Sequence, residues 1–287
     1  MVLLAGCASN DQQPGSEGKN LELTLRTVQV LNAYEIDPRP LLGLVLARGI
    51  FLGLALDGQS PTFDGDIHRA RDMFFLHAVK GPTVLLSNLK VAPDSEPHAD
   101  LKTMPTVAKA AGQWLDKQAF HHKSPALAVV MISAHGGENT LLLRIGSERP
   151  LAILSGDYLA RLLADLGDGP ILVIISACHA SSLVPALRAP NRIIISSASA
   201  DRVSFGCGAE STSSVFMQAL LDKELNRANS LQELFAQARN RVIGLEMRMK
   251  IEHSLPEIDV GADMEDFAST PIAQWPAALH KFRVSKR

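Results

Sequence analysis

The sequence predicts an α/β fold, a mostly parallel open sheet with helices on both faces. Three observations point to it. Short runs rich in Val, Ile and Leu recur along the chain and are nearly continuous rather than alternating, as in strands buried on both sides. Amphipathic stretches of helical length separate these runs, and such alternation implies parallel pairing through right-handed crossovers. Apolar residues make up 46% of the 287 positions and charged residues 20%, an ordinary balance for a large core. Aromatics are only 5%, so that core must be aliphatic.

Taken in order, the first strand is expected over Gly49 to Leu56, stopped by Asp57-Gly58. Residues 40 to 56 are apolar apart from Arg48. They fall short of the ~20 residues of a membrane span and carry a charge midway. A helix or loop to about residue 47 followed by a buried strand is therefore expected. Residues 65 to 79 read as a helix with Ile67, Ala70, Met73, Phe74 and His77 on one face. Thr83 to Ser87 is the second strand, and Pro105 to about Phe120 a helix with Pro near its first turn. Ala126 to Ser133 is the third strand, followed by His135-Gly136-Gly137 and a shorter strand or hairpin arm at Thr140 to Ile145. Ser155 to Leu166 reads as a helix capped by Ser155 and closed by Gly167. Ile171 to Ser176 is the fourth main strand, ending at Ala177-Cys178; Ser181 to Leu187 fits a short helix, and Arg192 to Ser196 is the fifth strand. Helices follow at 211–222 and 230–249, and the segment from 250 onward reads as irregular closure. One large domain over 49–287 is expected, behind a 21–48 extension and a polar tether within 1–20.

The N-terminus carries its own signal. Leu4-Ala5-Gly6-Cys7 resembles a lipobox, in which the cysteine is lipidated, and residues 8 to 20 have the Pro/Gly/Ser/Gln bias of a flexible tether. The residues ahead of Cys7 are fewer than the roughly 7–15 of an apolar signal core, so this reading requires a start further upstream. It places the protein in a bacterial cell envelope, lipid-anchored through Cys7, at an outer membrane facing the periplasm in a Gram-negative cell. The alternative is a cytoplasmic chain holding the tetrapeptide by chance.

Charge and cysteine content narrow the function. The net charge is −2 with no basic stripe, which argues against nucleic acid as a partner. Three cysteines, Cys7, Cys178 and Cys207, are too few for a disulfide framework and lack zinc spacing. The adjacent pair His121-His122 cannot share one helix face, so no metal site is expected there.

Ligands of open α/β sheets bind beyond the carboxyl ends of the strands. Two buried strands here end in reactive side chains, His135 and Cys178, each after a Ser-Ala lead-in. On neighbouring strands, about 4.8 Å apart, a thiol and an imidazole meet the requirement of nucleophilic catalysis by cysteine. Gly136 lets the backbone approach a substrate, and its N–H together with that of Cys178 suits a developing oxyanion. A short helix after Cys178 is expected to favour its thiolate.

Strand-His-Gly followed by strand-Ala-Cys resembles the caspase-like cysteine peptidases. The separation of His135 and Cys178 is near the roughly 50 residues of caspases. Ser176-Ala177-Cys178, followed by Ala198-Ser199-Ala200-Asp201-Arg202-Val203-Ser204-Phe205-Gly206-Cys207, resembles the bacterial branch of the legumain family, peptidase family C13. The likeness runs from about Leu52 to about Gly261. It implies a three-layer caspase-like fold, Cys178 as nucleophile, His135 as general base and acid, Gly136 as an oxyanion donor, and a peptide or protein substrate without a cofactor. It also implies a specificity pocket to which Ser176, Ser196 or Ser197, Asp201 and Glu210 contribute. The basic pair that legumains use for Asn specificity is absent around Phe63-Asp64-Gly65, although His68 and Arg69 follow; Asp201 and Glu210 would instead favour a basic or polar residue. Hydrolysis, transamidation through the same acyl-enzyme, and a catalytically idle envelope lipoprotein acting by binding are the readings this leaves.

Overall fold

A computed structural model of the chain describes residues 25–29, 46–89, 97–146, 152–208, 211–221, 227 and 229–282. Cys7, the 1–20 tether, Glu210 and all of the 21–48 extension except 25–29 and 46–48 lie outside the described residues.

The elements, in chain order, are β1 (Ala47–Ala55), α1 (Pro61–His77), β2 (Val79–Lys80), β3 (Thr83–Ser87), α2 (Thr103–His122), β4 (Leu127–Ser133), β5 (Gly136–Gly137), β6 (Thr140–Leu143), β7 (Ala152–Ser155) and α3 (Gly156–Ala164). There follow β8 (Ile171–Ser176), a 3-10 turn (Ala180–Leu183), α4 (Val184–Leu187), β9 (Arg192–Ser196), α5 (Val215–Leu221), α6 (Leu231–Met249), β10 (Glu257–Val260), α7 (Glu265–Ser269) and α8 (Trp275–Lys281). The main sheet runs β10-β9-β8-β4-β1, with β2 and β3 both paired to β1. Every pair is parallel except β10 on β9. The near-continuous apolar runs are explained by this arrangement. In β4, Ala128, Val130 and Ile132 face one layer, with α2 and α3, while Leu127, Val129 and Met131 face the other, with α1, α5, α6 and α8. Each such Val, Leu, Ile or Met side chain contributes about 1.5–3 kcal/mol by leaving water.

Tertiary pairing shifts several boundaries. β1 begins at Ala47, where Arg48 enters the ladder against Lys80, so the apolar run around it is a buried strand. α1 starts four residues earlier than the periodicity suggests, because Ser60 caps it by accepting from the Thr62 N–H and Pro61 opens its first turn. Thr140 is a hairpin arm as expected, but it belongs to a separate antiparallel sheet of β5, β6 and β7. Ser155 caps α3 and Gly167, at φ 84°, closes it. The expected irregular closure after residue 250 is corrected: Glu257–Val260 alternates polar and apolar residues and adds the antiparallel edge strand β10. Among the described residues no helix is long and apolar enough to cross a membrane.

Candidate active site

β4 and β8 are direct neighbours in the sheet, and their register pairs Ser133 with Ser176. One step further the Ala134 N–H still donates to the Ser176 carbonyl at 3.1 Å. The ladder thus delivers His135 and Cys178 side by side at the carboxyl edge. Side chains alternate along a strand, so Ser133 and His135 share a face, as do Ser176 and Cys178. That face is the one covered by α1.

His135 is half-buried, and the ring of Phe63 from α1 meets its imidazole edge-on at 4.9 Å between centroids. Burial pushes the His135 pKa below 6.5; the Asp57 carboxylate opposes this and the Arg144 guanidinium adds to it. Asp57, two residues past the end of β1, has its side chain fully enclosed, 3.6 Å from Arg144 Nε. The Gln59 N–H donates to Asp57 Oδ1 at 2.9 Å, and Arg144 also reaches the Gln59 side chain. This cluster is a wall beside the imidazole, built from the exits of β1 and β6.

Cys178 Sγ is bracketed by the main chain of Ser204: the Ser204 N–H donates to the sulfur at 3.4 Å, and the thiol reaches the Ser204 carbonyl at 3.6 Å. His179 follows at φ 56°, a left-handed conformation uncommon for a residue with a side chain. Its N–H donates to the Arg202 carbonyl at 2.8 Å and its Nδ1–H to the Ala200 carbonyl at 2.9 Å, which fixes the turn. The helix expected after the nucleophile begins only at Ala180, and as a 3-10 turn, so Cys178 does not stand at an α-helix N-terminus. Gly136 packs onto the Cys178 backbone: a Cβ on it would lie 2.1 Å from the Cys178 carbonyl oxygen.

The expected pocket residues divide. Ser176 faces the site, with its hydroxyl 2.9 Å from Ser214 Oγ. Ser196 pairs with Ile175, whose side chain faces α2 and α3, so its buried hydroxyl lies on the far side of the sheet from Cys178. Ser197 bridges back to the exit of β8, accepting from the Ala177 N–H at 2.9 Å and donating to the Ala177 carbonyl at 2.8 Å. Asp201 is exposed; the Ser199 hydroxyl donates to it at 2.8 Å and holds its pKa below the usual carboxylate value. It flanks Arg202, which reaches Glu252 from the loop before β10. Cys207 is free and half-buried, and burial together with the nearby Cys178 pushes its thiol pKa up. In the 63–65 segment, Phe63 contacts His135 and Asp64 accepts from the Ser87 hydroxyl at 2.6 Å. His68 lies 3.7 Å from Asp64 and Arg69 is exposed, so neither supplies the missing basic pair to the dyad.

Asp66, which no sequence motif marks, also belongs to this region. Its carboxylate is fully buried beneath the two strand exits. It accepts from the Ser133 hydroxyl at 2.8 Å, the Ser213 hydroxyl at 2.7 Å and the Ser214 N–H at 2.9 Å. Burial raises its pKa, and the serine hydrogen bonds oppose that rise. A charged residue at a core-facing position of α1, one residue before Ile67, was the available signal.

A model of the peptidase C13 family matches residues 116–266, a stretch that contains His135, Cys178 and the loops around them. Among solved structures the fold is similar to the crystal structure of caspase-1 from Spodoptera frugiperda, with a TM-score of 0.49 and 17% identity over 78% of this chain and 91% of that one. No curated protein sequence gave a match.

Proposed function

Because the chain belongs to the peptidase C13 family, whose model spans more than half of its 287 residues, we propose that it is a cysteine endopeptidase working through Cys178 and His135. The observation that carries this reading is the register of β4 on β8, which places imidazole and thiol at adjoining strand exits on one face. His135, neutral because burial disfavours its charged form, takes the Cys178 proton. The thiolate then attacks the scissile carbonyl, forming the C–S bond, while the N–H groups of Gly136 and Cys178 receive the oxyanion. The imidazolium, favoured by the Asp57 carboxylate, returns its proton to the leaving amine as the C–N bond breaks. A water deprotonated by His135 attacks the acyl-enzyme, the C–S bond breaks, and the acid product leaves with the thiol restored.

Cys178→Ala tests the assignment. The variant is expected to lose both peptide cleavage and labelling by a peptidyl acyloxymethyl ketone, and full activity in it refutes the mechanism. Adding an amine nucleophile and analysing the products separates hydrolysis from transamidation by the same acyl-enzyme. We also propose that Cys7 carries a lipid anchor at a cell envelope, on the strength of Leu4-Ala5-Gly6-Cys7 and the polar tether that follows. An unmodified Cys7 in the intact mass of the native protein would sink that idea.

A further inference from the structure

Asp66 has a place in the fold that its cost makes informative. A buried carboxylate whose hydrogen bonds come from hydroxyls and a main-chain N–H, rather than from a cation, is expensive to keep ionised. What the carboxylate provides is a junction of three segments. Oδ2 receives Ser133, two residues before His135. Oδ1 receives Ser213 and Ser214, and the Ser214 hydroxyl joins that of Ser176, two residues before Cys178. The Ser214 hydroxyl also accepts from the Met217 N–H at 3.2 Å, so it cannot turn away without uncapping α5.

The same junction governs the loop against the nucleophile. Residues 204–206 and 211–215 are held together by the Val215 N–H, which donates to the Phe205 carbonyl at 3.0 Å. They are seated on the first turns of α1. The Thr62 hydroxyl donates to the Ser211 carbonyl at 2.8 Å, and a Cβ at Gly65 would lie 1.9 Å from the Thr212 carbonyl oxygen. One end of this loop meets the Cys178 sulfur through Ser204; the other ends on Asp66.

We propose that Asp66 is a positioning residue of this peptidase site: its single carboxylate fixes residues 211–214, through them residues 204–206, and both strand exits in one register, so that substrate, sulfur and imidazole meet in alignment. The inference rests on the peptidase reading above. Asp66 touches no reacting atom and acts through Ser133, Ser176 and Ser204.

The test compares two alkylating probes on the full chain, with modification of Cys178 followed by peptide mass mapping. Iodoacetamide needs only an accessible thiol, whereas a peptidyl acyloxymethyl ketone needs an aligned site. In Asp66→Leu the peptidyl probe is expected to react about 100-fold more slowly, the size of loss that misplacement by about 1 Å produces. Iodoacetamide is expected to stay within about threefold, because it requires no alignment. The melting temperature is expected to fall, since three buried donors lose their acceptor, so both probes are compared well below the variant's unfolding transition. Asp66→Asn, which still accepts from Ser213 and Ser214, is expected to lose only about tenfold with the peptidyl probe. If Asp66→Leu does not fold, Ser176→Ala severs one link alone, and a selective loss of about fivefold with the peptidyl probe is expected. Peptidyl labelling at the wild-type rate in the folded variants overturns the role of Asp66, and so does an equal fall with both probes. A wild-type protein that iodoacetamide labels at Cys178 and the peptidyl probe does not overturns the peptidase reading itself, and this inference with it.

Discussion

Gly136 lies so close to Cys178 that a Cβ on it would stand 2.1 Å from the Cys178 carbonyl oxygen and 3.0 Å from Ala177 Cβ. Neither neighbour is a flexible side-chain end, so Gly136→Ala must push the two strand exits apart. The expected result is a fall in kcat of about 100-fold, with the proposed oxyanion donor displaced. Destabilisation of about 1–3 kcal/mol, the usual cost of overpacking, should accompany it. Peptide turnover and urea unfolding of the same preparation measure the two effects.

His135→Ala should reduce peptide hydrolysis by about 100- to 10,000-fold, the range for loss of a general acid and base. Cys178 should remain open to iodoacetamide. Loss of alkylation alongside hydrolysis would instead mean that the site had collapsed.

The pH profile follows from the charges around the imidazole. Burial and Arg144 push the His135 pKa below 6.5, and Asp57 pushes it back up. The acid limb of kcat/KM is therefore expected below pH 6.5. Asp57→Asn should move it further down, and Arg144→Met should move it up. Stability carries the same sign. The folded imidazole binds its proton less readily than the unfolded one, so its contribution is fully present above about pH 6.5 and is lost as pH falls through the folded value. Urea titrations between pH 5 and 8 on wild type and His135→Gln check this, the variant showing the flatter dependence.

Glu246 projects from the buried stripe of α6 and is 1% exposed; it accepts from the Ser254 N–H at 3.1 Å and from His253 Nδ1–H at 3.2 Å. Glu246→Ala strands these donors and should cost about 2–4 kcal/mol in urea unfolding. The Ser199 N–H donates to the Ser254 carbonyl at 2.9 Å, so the turn after β9 should loosen as well, with faster amide exchange around Ser199.

The central strands were readable because burial on both faces leaves an uninterrupted aliphatic signature, and β1, β3, β4, β8 and β9 all carry it. His135 and Cys178 were readable for a related reason, since a reactive side chain just past such a run has one place to go. The edge pieces were not. β2 is two residues long and exists only because Val79 and Lys80 fall against Ala47 and Arg48. β10 needs β9 beside it before its Glu-Ile-Asp-Val alternation means strand rather than loop. The serines were harder still. Ser133 and Ser176 read as polar endings of strands, and nothing local joins them to Asp66 or to Ser213 and Ser214 far along the chain. Glu246 did leave a trace, at the next step of the series Leu231, Phe235, Ala238 and Val242 on the buried face of α6.

The antiparallel pairing of β10 on β9 also has a consequence in time. A ribosome releases the chain from its N-terminus, and domains generally fold as units while they emerge. His135 and Cys178 appear early, but the turn beside Cys178 is tied to Ser254 and Glu252, and β9 gains its outer neighbour only at Glu257–Val260. A nascent chain stalled before residue 250 holds both reactive side chains without the outer support of the site. Such a stalled chain is expected to ignore the peptidyl probe, whereas the chain released at full length, with α7 and α8 packed on the sheet, should react; labelling of the shorter chain would refute this. The order of synthesis would then restrain the peptidase until its own catalytic region is nearly complete.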